Sequence, residues 1–99
     1  MRVQYILLDG EPVPCDDSAE WCRWFESGDR RVASTHVGDV LVSTVFLAIN
    51  HNYGAGPPLL FETMVFGGPL DEHCERYASR AEAVAGHERV VALVTEAKP

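Results

Sequence analysis

"VSTVFLAINHNYGAGPPLLFETMVFGG", Val42 to Gly68, is the stretch whose reading decides the fold. Two apolar, β-branched runs flank a connection that holds Asn50, His51, Asn52, Tyr53, Gly54, Gly56 and the adjacent Pro57 and Pro58. Glu62 is the only formal charge in it. Such runs form strands, and the residues between them end strands: Gly and Asn tolerate left-handed backbone, and Pro lacks the amide that a ladder needs. No crossover helix fits into the connection. The two runs are therefore expected to pair as an antiparallel hairpin, with "HNYGAGPP" as its exposed link.

Upstream, Val32–Val37 and Val40–Ile49 lie on either side of Gly38-Asp39, a second hairpin signature; glycine first in the pair suits a type II′ turn. Val3 to Leu8 reads as an earlier strand, closed by Asp9-Gly10 and the "EPVP" segment. "DDSAEWCRWFESGDRR" reads as a short helix, with Asp17 as N-cap, Glu20 completing a capping box and Gly28 as the stop. Trp21, Cys22 and Phe25 share one helical face with Trp24 beside it, a pattern that fits packing against a sheet. After "GGPLDEHCERY", Ser79 and Glu82 form a second capping box and open a helix through "AEAVAGHERVVALV". Ala83, Val84, Val90, Val91 and Val94 fall near one stripe, and Gly86 reads as a weak spot costing about 0.5–1 kcal/mol against Ala.

The fold class is α+β: a mainly antiparallel four-stranded sheet with two helices, order β-α-β-β-β-α, in a single domain over residues 1–99. Val42, Phe46 and Ala48 alternate with Val45, Leu47 and Ile49. Both strand faces are thus apolar, so both are expected to be covered, by the helices or by a second subunit.

The formal charge is −7 and the pI about 4.9. Basic residues are scattered, with Arg30-Arg31 the only adjacent pair, so direct nucleic-acid binding through a basic face is not expected. The opening "MRVQYILLDG" is too short and too soon broken to read as a signal peptide or membrane span. Cys15, Cys22 and Cys74 are odd in number and make no CxxC, which points to a reducing, cytoplasmic setting.

Chemistry is harder to find. His36, His51, His73 and His87 show no spacing that would put two ligands on one face, so no metal and no cofactor is expected. There is no GxSxG elbow, and Gly54-Ala55-Gly56 lacks the lysine and following helix of a phosphate loop. Glu62 stands on a strand face with Leu60, Met64 and Phe66. It reads either as a group with a raised pKa in a pocket with His51 and Tyr53, or as a rim carboxylate paired with an arginine or with loop amides.

"WFE" at Trp24–Glu26, "VGDVLVSTVFLAINHNYG" and "PPLLFETMVFGG" resemble a family of small proteins of unknown function from bacteriophages, prophages and actinobacterial genomes. Arg76-Tyr77, Glu82-Ala83 and Gly86-His87 also fit that pattern, so the likeness covers most of the chain. The family carries Gly-Leu-Asp-His where this chain has Ala48-Ile49-Asn50-His51, and Trp-Glu where it has Arg80-Ala81. The resemblance implies a mobile-element setting and no particular chemistry.

Three readings follow. The first is a binding protein that engages a basic surface on a host protein, in the manner of an inhibitor of CRISPR nucleases or other anti-phage systems. Its acidic contacts would be Asp16, Asp17 and Glu20 in the first helix and Asp71, Glu72 and Glu75 in the "DEHCE" turn, expected to form one patch. The second is a small enzyme or ligand-binding domain with a pocket at His51, Tyr53 and Glu62. The third is a homodimeric module built on the two-sided strands.

Overall fold

The hairpin read from Val42–Gly68 is the centre of the sheet. In the computed structural model, which describes residues 3–97, the elements are β1 (Tyr5–Leu8), β2 (Glu11–Pro14), α1 (Ser18–Ser27), β3 (Arg31–Val37), β4 (Val40–Phe46), β5 (Phe61–Phe66), β6 (Cys74–Tyr77) and α2 (Arg80–Ala97). β3-β4-β5-β6 form a four-stranded antiparallel sheet, and β1-β2 form a separate two-stranded hairpin. The α+β class, the antiparallel four-stranded sheet and the two helices stand. The order gains two short strands, β2 and β6, and the fourth strand of the sheet is β6 rather than the N-terminal one.

β4 and β5 pair from Leu41↔Phe66 to Phe46↔Phe61, and two further backbone bonds, Leu47 to Leu60 and His51 to Leu59, continue the pairing towards the loop. Val37 pairs with Val40 across Gly38, whose φ of 60° is the left-handed first position of a type II′ turn. β4 stops at Phe46 because Ala48 takes a φ of 66°. Beyond it the chain pairs with β1 instead: the Tyr5 amide donates to the Ala48 carbonyl at 2.8 Å and the Asn50 amide to Val3 at 2.9 Å. The β1-β2 turn is Asp9-Gly10 with both residues left-handed, φ 53° and 82°, a type I′ turn. Pro12 and Pro14 sit at alternate positions of β2, opposite Leu7 and Tyr5. Counting from the turn, these are the non-hydrogen-bonded positions, so the missing amides face away from β1 and blunt the outer edge.

Both helix starts follow the caps read from sequence. The Asp17 carboxylate accepts from the Ala19 and Glu20 amides at 2.9 and 3.2 Å. The Ser79 hydroxyl accepts from the Glu82 amide and donates to the Glu82 carboxylate. Gly28 ends α1 with φ −75°, so its role is room rather than handedness: a Cβ there would lie 2.7 Å from the Trp24 ring and carbonyl.

α2 covers the sheet face carrying Val40, Val42, Thr44 and Phe46 of β4 and Phe61, Thr63 and Val65 of β5. It presents Ala83, Gly86, His87, Val90 and Val94; the expected stripe is corrected at Val84, which is 43 % exposed. Trp21, Trp24 and Phe25 of α1 pack half-buried around Phe46, with Trp24 edge-on to its ring, whereas Cys22 faces solvent. Of the two ways expected to cover both sheet faces, the helices cover only one. Leu41, Ser43, Val45, Met64 and Phe66 occupy the other face and are only half-buried or exposed. Alternation placed apolar side chains there, but the helices both lie against the first face.

Candidate functional site

The polar groups that the fold brings together lie under α2, between two apolar clusters. One cluster is built on Phe46, Leu60, Phe61 and Tyr77, the other on Val40, Val42, Val65, Val90 and Val94. His87 sits between them. Its Nε2 is 2.8 Å from the Thr35 hydroxyl and its Nδ1 is 2.7 Å from the Thr44 hydroxyl. Thr44 and Thr63 are 2.6 Å apart, in register across the β4-β5 pair, and the Tyr77 hydroxyl donates to Thr63 at 3.0 Å. Tyr77 also reaches Glu75 at 3.4 Å, and Glu75 pairs at the surface with Arg89 and His73. One chain of hydrogen bonds thus runs from β3 through the interior to a surface carboxylate, and every buried side-chain polar atom among the described residues has a partner.

The chain has two self-consistent directions. With the His87 proton on Nε2, that nitrogen donates to Thr35, and the Thr44, Thr63 and Tyr77 hydroxyls each donate inwards towards Nδ1. With the proton on Nδ1, every hydroxyl reverses and Tyr77 donates to Glu75. The shorter Tyr77 contact, 3.0 Å to Thr63 against 3.4 Å to Glu75, favours the inward direction. Burial holds His87 below its ordinary pKa, only partly offset by Glu88, so the imidazole is neutral near pH 7. Burial likewise pushes the Tyr77 phenol up, against the Thr63 hydrogen bond. Desolvation works to raise Glu75, but the hydrogen bonds from His73 and Arg89 outweigh it and hold the carboxyl below its usual range.

Thr44 and Thr63 are fully buried, so the centre of the network is closed to solvent, while its ends at Thr35 and Glu75 are half-buried. Its chemistry is registration: threonines at fixed rungs of two strands accept one imidazole in one place, which seats α2 on the sheet. The sequence reading missed it. The available signal was His87 at the centre of the Ala83, Val90, Val94 stripe, facing threonines at inward positions of both central strands.

The three pocket candidates go to separate tasks. His51 Nδ1 is 2.8 Å from the Ile49 carbonyl, its ring centroid 6.5 Å from that of Tyr53, and Tyr53 is 86 % exposed. Glu62 accepts from Arg76 Nε at 3.0 Å, on the uncovered sheet face, at register Glu62↔Arg76. That is the rim carboxylate paired with an arginine. Among the described residues no hydrogen bond, ion pair or ring contact joins Glu62 to His51 or Tyr53, and no pocket forms. Asn50 and Asn52 hold the loop: the Asn50 side-chain oxygen accepts from the Asn52 and Leu59 amides, and Asn52 bonds Gly54, Ala55 and Pro57.

Cys74 lies beside Glu62 on that open face, and desolvation and then the Glu62 charge raise its thiol pKa. All three cysteines are free thiols. Among the described residues no three of His, Cys, Asp and Glu gather as a metal cage, and no helix is long and apolar enough to cross a membrane.

The acidic candidates do not form one patch. Asp16, Asp17 and Glu20 are exposed at the start of α1, near the end of the sheet marked by Ala48 and Tyr5. Asp71 and Glu72 are exposed in the turn after Gly67 and Gly68, beside Val40, at the opposite end. The seven residues of β4 run between these ends, a span of about 20 Å. Asp71 also serves the turn, accepting from the Gly67 amide at 2.6 Å, and Glu72 adopts φ 71°. Glu75 is withdrawn from the surface set by its contacts with Tyr77, His73 and Arg89.

The arrangement defines a two-layer α+β protein with an internal polar register. Comparison with known protein families, with curated proteins and with solved structures finds no match for the chain.

Proposed function

We propose that this chain acts by binding a protein with a basic surface, the rigid sheet holding two separate acidic ends towards it. The observation that carries this reading is where the carboxylates go. The ion pairs of the described residues use Glu62 and Glu75, while Asp17, Glu20, Asp71 and Glu72 stand exposed in a chain of net charge −7. Such a field steers a basic partner and rejects nucleic acid. The concrete form is a mobile-element inhibitor that occupies a basic surface of a host defence machine, in the reducing cytoplasm. Small size, acidity, three free thiols and the phage-family resemblance support it.

The test is affinity capture from the native host, then association rates against ionic strength. Charge reversal at Glu20, and separately at Asp71 and Glu72, is expected to slow association at low salt, since surface attraction is screened beyond about 8–10 Å at physiological salt. Asp71 caps its turn, so its variant is compared with Asp71→Asn. A salt-independent rate, unchanged in every reversed variant, overturns the reading.

A further inference from the structure

We propose that the hydroxyls of Thr44, Thr63 and Tyr77 relay a proton between Glu75 at the surface and His87 under α2, so that the buried imidazole changes charge while the helix stays on the sheet. The links measure 3.4 Å from Glu75 to Tyr77, 3.0 Å from Tyr77 to Thr63, 2.6 Å from Thr63 to Thr44 and 2.7 Å from Thr44 to His87 Nδ1. All but the first lie within the reach of about 2.6–3.2 Å over which protons transfer. Each link is a hydroxyl, which accepts one proton while giving up its own and reverses by turning about one bond. Registration of α2 needs only Thr35 and Thr44, the two residues that His87 bonds. Thr63 and Tyr77 go further and carry the chain out to a carboxylate.

The step starts from the inward arrangement, with the His87 proton on Nε2 and Nδ1 accepting from Thr44. Glu75, at the half-buried outer end, takes a proton from water and donates it to the Tyr77 oxygen. Tyr77 passes its own proton to Thr63, Thr63 passes its own to Thr44, and Thr44 passes its own to Nδ1. Glu75 ends as a carboxylate, each hydroxyl ends with one proton, and His87 has gained one. Every bond of the chain has reversed. The imidazolium now donates to Thr35 and Thr44, and Tyr77 donates to Glu75, so the chain ends on an anion that opposes the new charge.

The surroundings keep charge away from the middle of this path. Towards it, β3, β4 and β5 present the hydroxyls of Thr35, Thr44 and Thr63. Arg31, His36 and Glu62 of those strands stand opposite Val45 or Leu41, on the uncovered face. The charged groups facing the chain are Glu75 with its partners Arg89 and His73 at the outer end, and Glu88 beside His87. Arg89 and His73 already occupy the Glu75 oxygens, which leaves Tyr77 at 3.4 Å and free to point inwards. The competing entry is the Thr35 end, half-buried on the edge strand β3, where Nε2 already holds its proton.

The test follows the ring nitrogens of His87 by NMR in the full-length protein carrying isotope-labelled histidine, from about pH 8 to pH 5. The expected result is a proton on Nε2 alone at the upper end. On acidification the neutral and charged forms are expected to exchange faster than α2 opens, opening being read from amide exchange along the helix. Tyr77→Phe keeps the ring and removes only the hydroxyl, and Glu75→Gln keeps an acceptor but has no proton to pass on. In each, charging of His87 is expected to slow about tenfold or more, down to the opening rate of α2. A hydroxyl that merely holds the helix down has the opposite signature, since its removal speeds opening and charging together. Thr35→Val is expected not to slow charging. The proposal is overturned if either Tyr77→Phe or Glu75→Gln charges as fast as the parent, or if Thr35→Val is the variant that slows. It is equally overturned by a proton on Nδ1 at the upper end, or by a His87 that stays neutral until the protein unfolds.

Discussion

The ring of Tyr77 lies directly on the backbone of Gly86. A Cβ at Gly86 would collide with the Tyr77 ring edge and hydroxyl, so the glycine is what lets β6 and α2 close together. That approach carries the Tyr77 hydroxyl to Thr63, 3.0 Å away. The residue that reads as a weak point in a helix is therefore a packing requirement.

Gly86→Ala is expected to destabilise the protein by about 1–2 kcal/mol in urea unfolding. The helix gains about 0.8–1 kcal/mol from losing a glycine, while overpacking a tight contact costs about 1–3 kcal/mol and here also displaces a buried hydrogen bond. In a Tyr77→Ala background the obstacle is gone, and the same substitution is expected to stabilise by up to about 1 kcal/mol. Additivity of the two substitutions would contradict the contact.

Ala48 is fully buried with φ 66°, and its carbonyl accepts from both the Tyr5 amide and the Trp21 indole. Left-handed backbone costs an alanine about 1–2 kcal/mol. Ala48→Gly relieves that but loses a buried methyl, about 0.8 kcal/mol, and adds about 0.4–1 kcal/mol of unfolded-chain entropy. The opposing effects nearly cancel, so thermal unfolding of Ala48→Gly is expected within about 1 kcal/mol of the parent. Ala48→Val, which adds branching where the backbone tolerates it least, is expected to lose more than about 2 kcal/mol.

Asn50 staples the loop through one side-chain oxygen that accepts the Asn52 and Leu59 amides at 2.8 and 3.0 Å. Asn50→Ala is expected to cost about 1–2 kcal/mol and to speed proteolysis between Tyr53 and Pro57. Asn50→Asp keeps both acceptors, charge-assisted, and is expected to stay within about 1 kcal/mol of the parent. If Asn50→Asp unfolds as readily as Asn50→Ala, the staple is not the reason for the residue.

What the sequence disclosed followed from side-chain physics that acts locally. The β4-β5 hairpin was legible because apolar β-branched runs end in Asn, Gly and Pro, and both helix starts because Asp17 and Ser79 satisfy orphan amides. β2 was hidden by Pro12 and Pro14, which are tolerated only because their ring nitrogens face outwards. β6 was hidden because Cys74-Glu75-Arg76-Tyr77 alternates in destination rather than in polarity: Glu75 runs under α2 to Arg89 while Arg76 crosses the open face to Glu62. The His87 network was hidden because its members span residues 35 to 87, and only the strand register aligns them. The burial of one sheet face and not the other depends on where both helices land, which periodicity within a strand does not contain.

The last prediction concerns acid. His87 has its folded pKa below 6.5, held there by burial, with Glu88 the one charge that offsets it. The groups facing it from the sheet are the hydroxyls of Thr35 and Thr44, with Thr63, Tyr77 and then Glu75 behind them. Above pH 6.5 the imidazole is neutral whether the chain is folded or not, and its burial carries no ionisation cost. Below 6.5 the unfolded chain takes the proton first, so stability falls as pH drops from 6.5 towards the folded pKa, by at most about 1.4 kcal/mol per pH unit for one proton. Glu75 adds a second loss. Its folded pKa lies below 4.5, so its contribution is complete above 4.5 and disappears as pH falls through the folded value. Urea unfolding from pH 8 to 4 is expected to show a plateau, a decline beginning near 6.5, and a steeper fall below 4.5. His87→Gln is expected to be less stable at pH 8 but to lose the first decline while keeping the second. If His87→Gln retains the decline that begins near pH 6.5, the buried imidazole of His87 is not the group responsible for it.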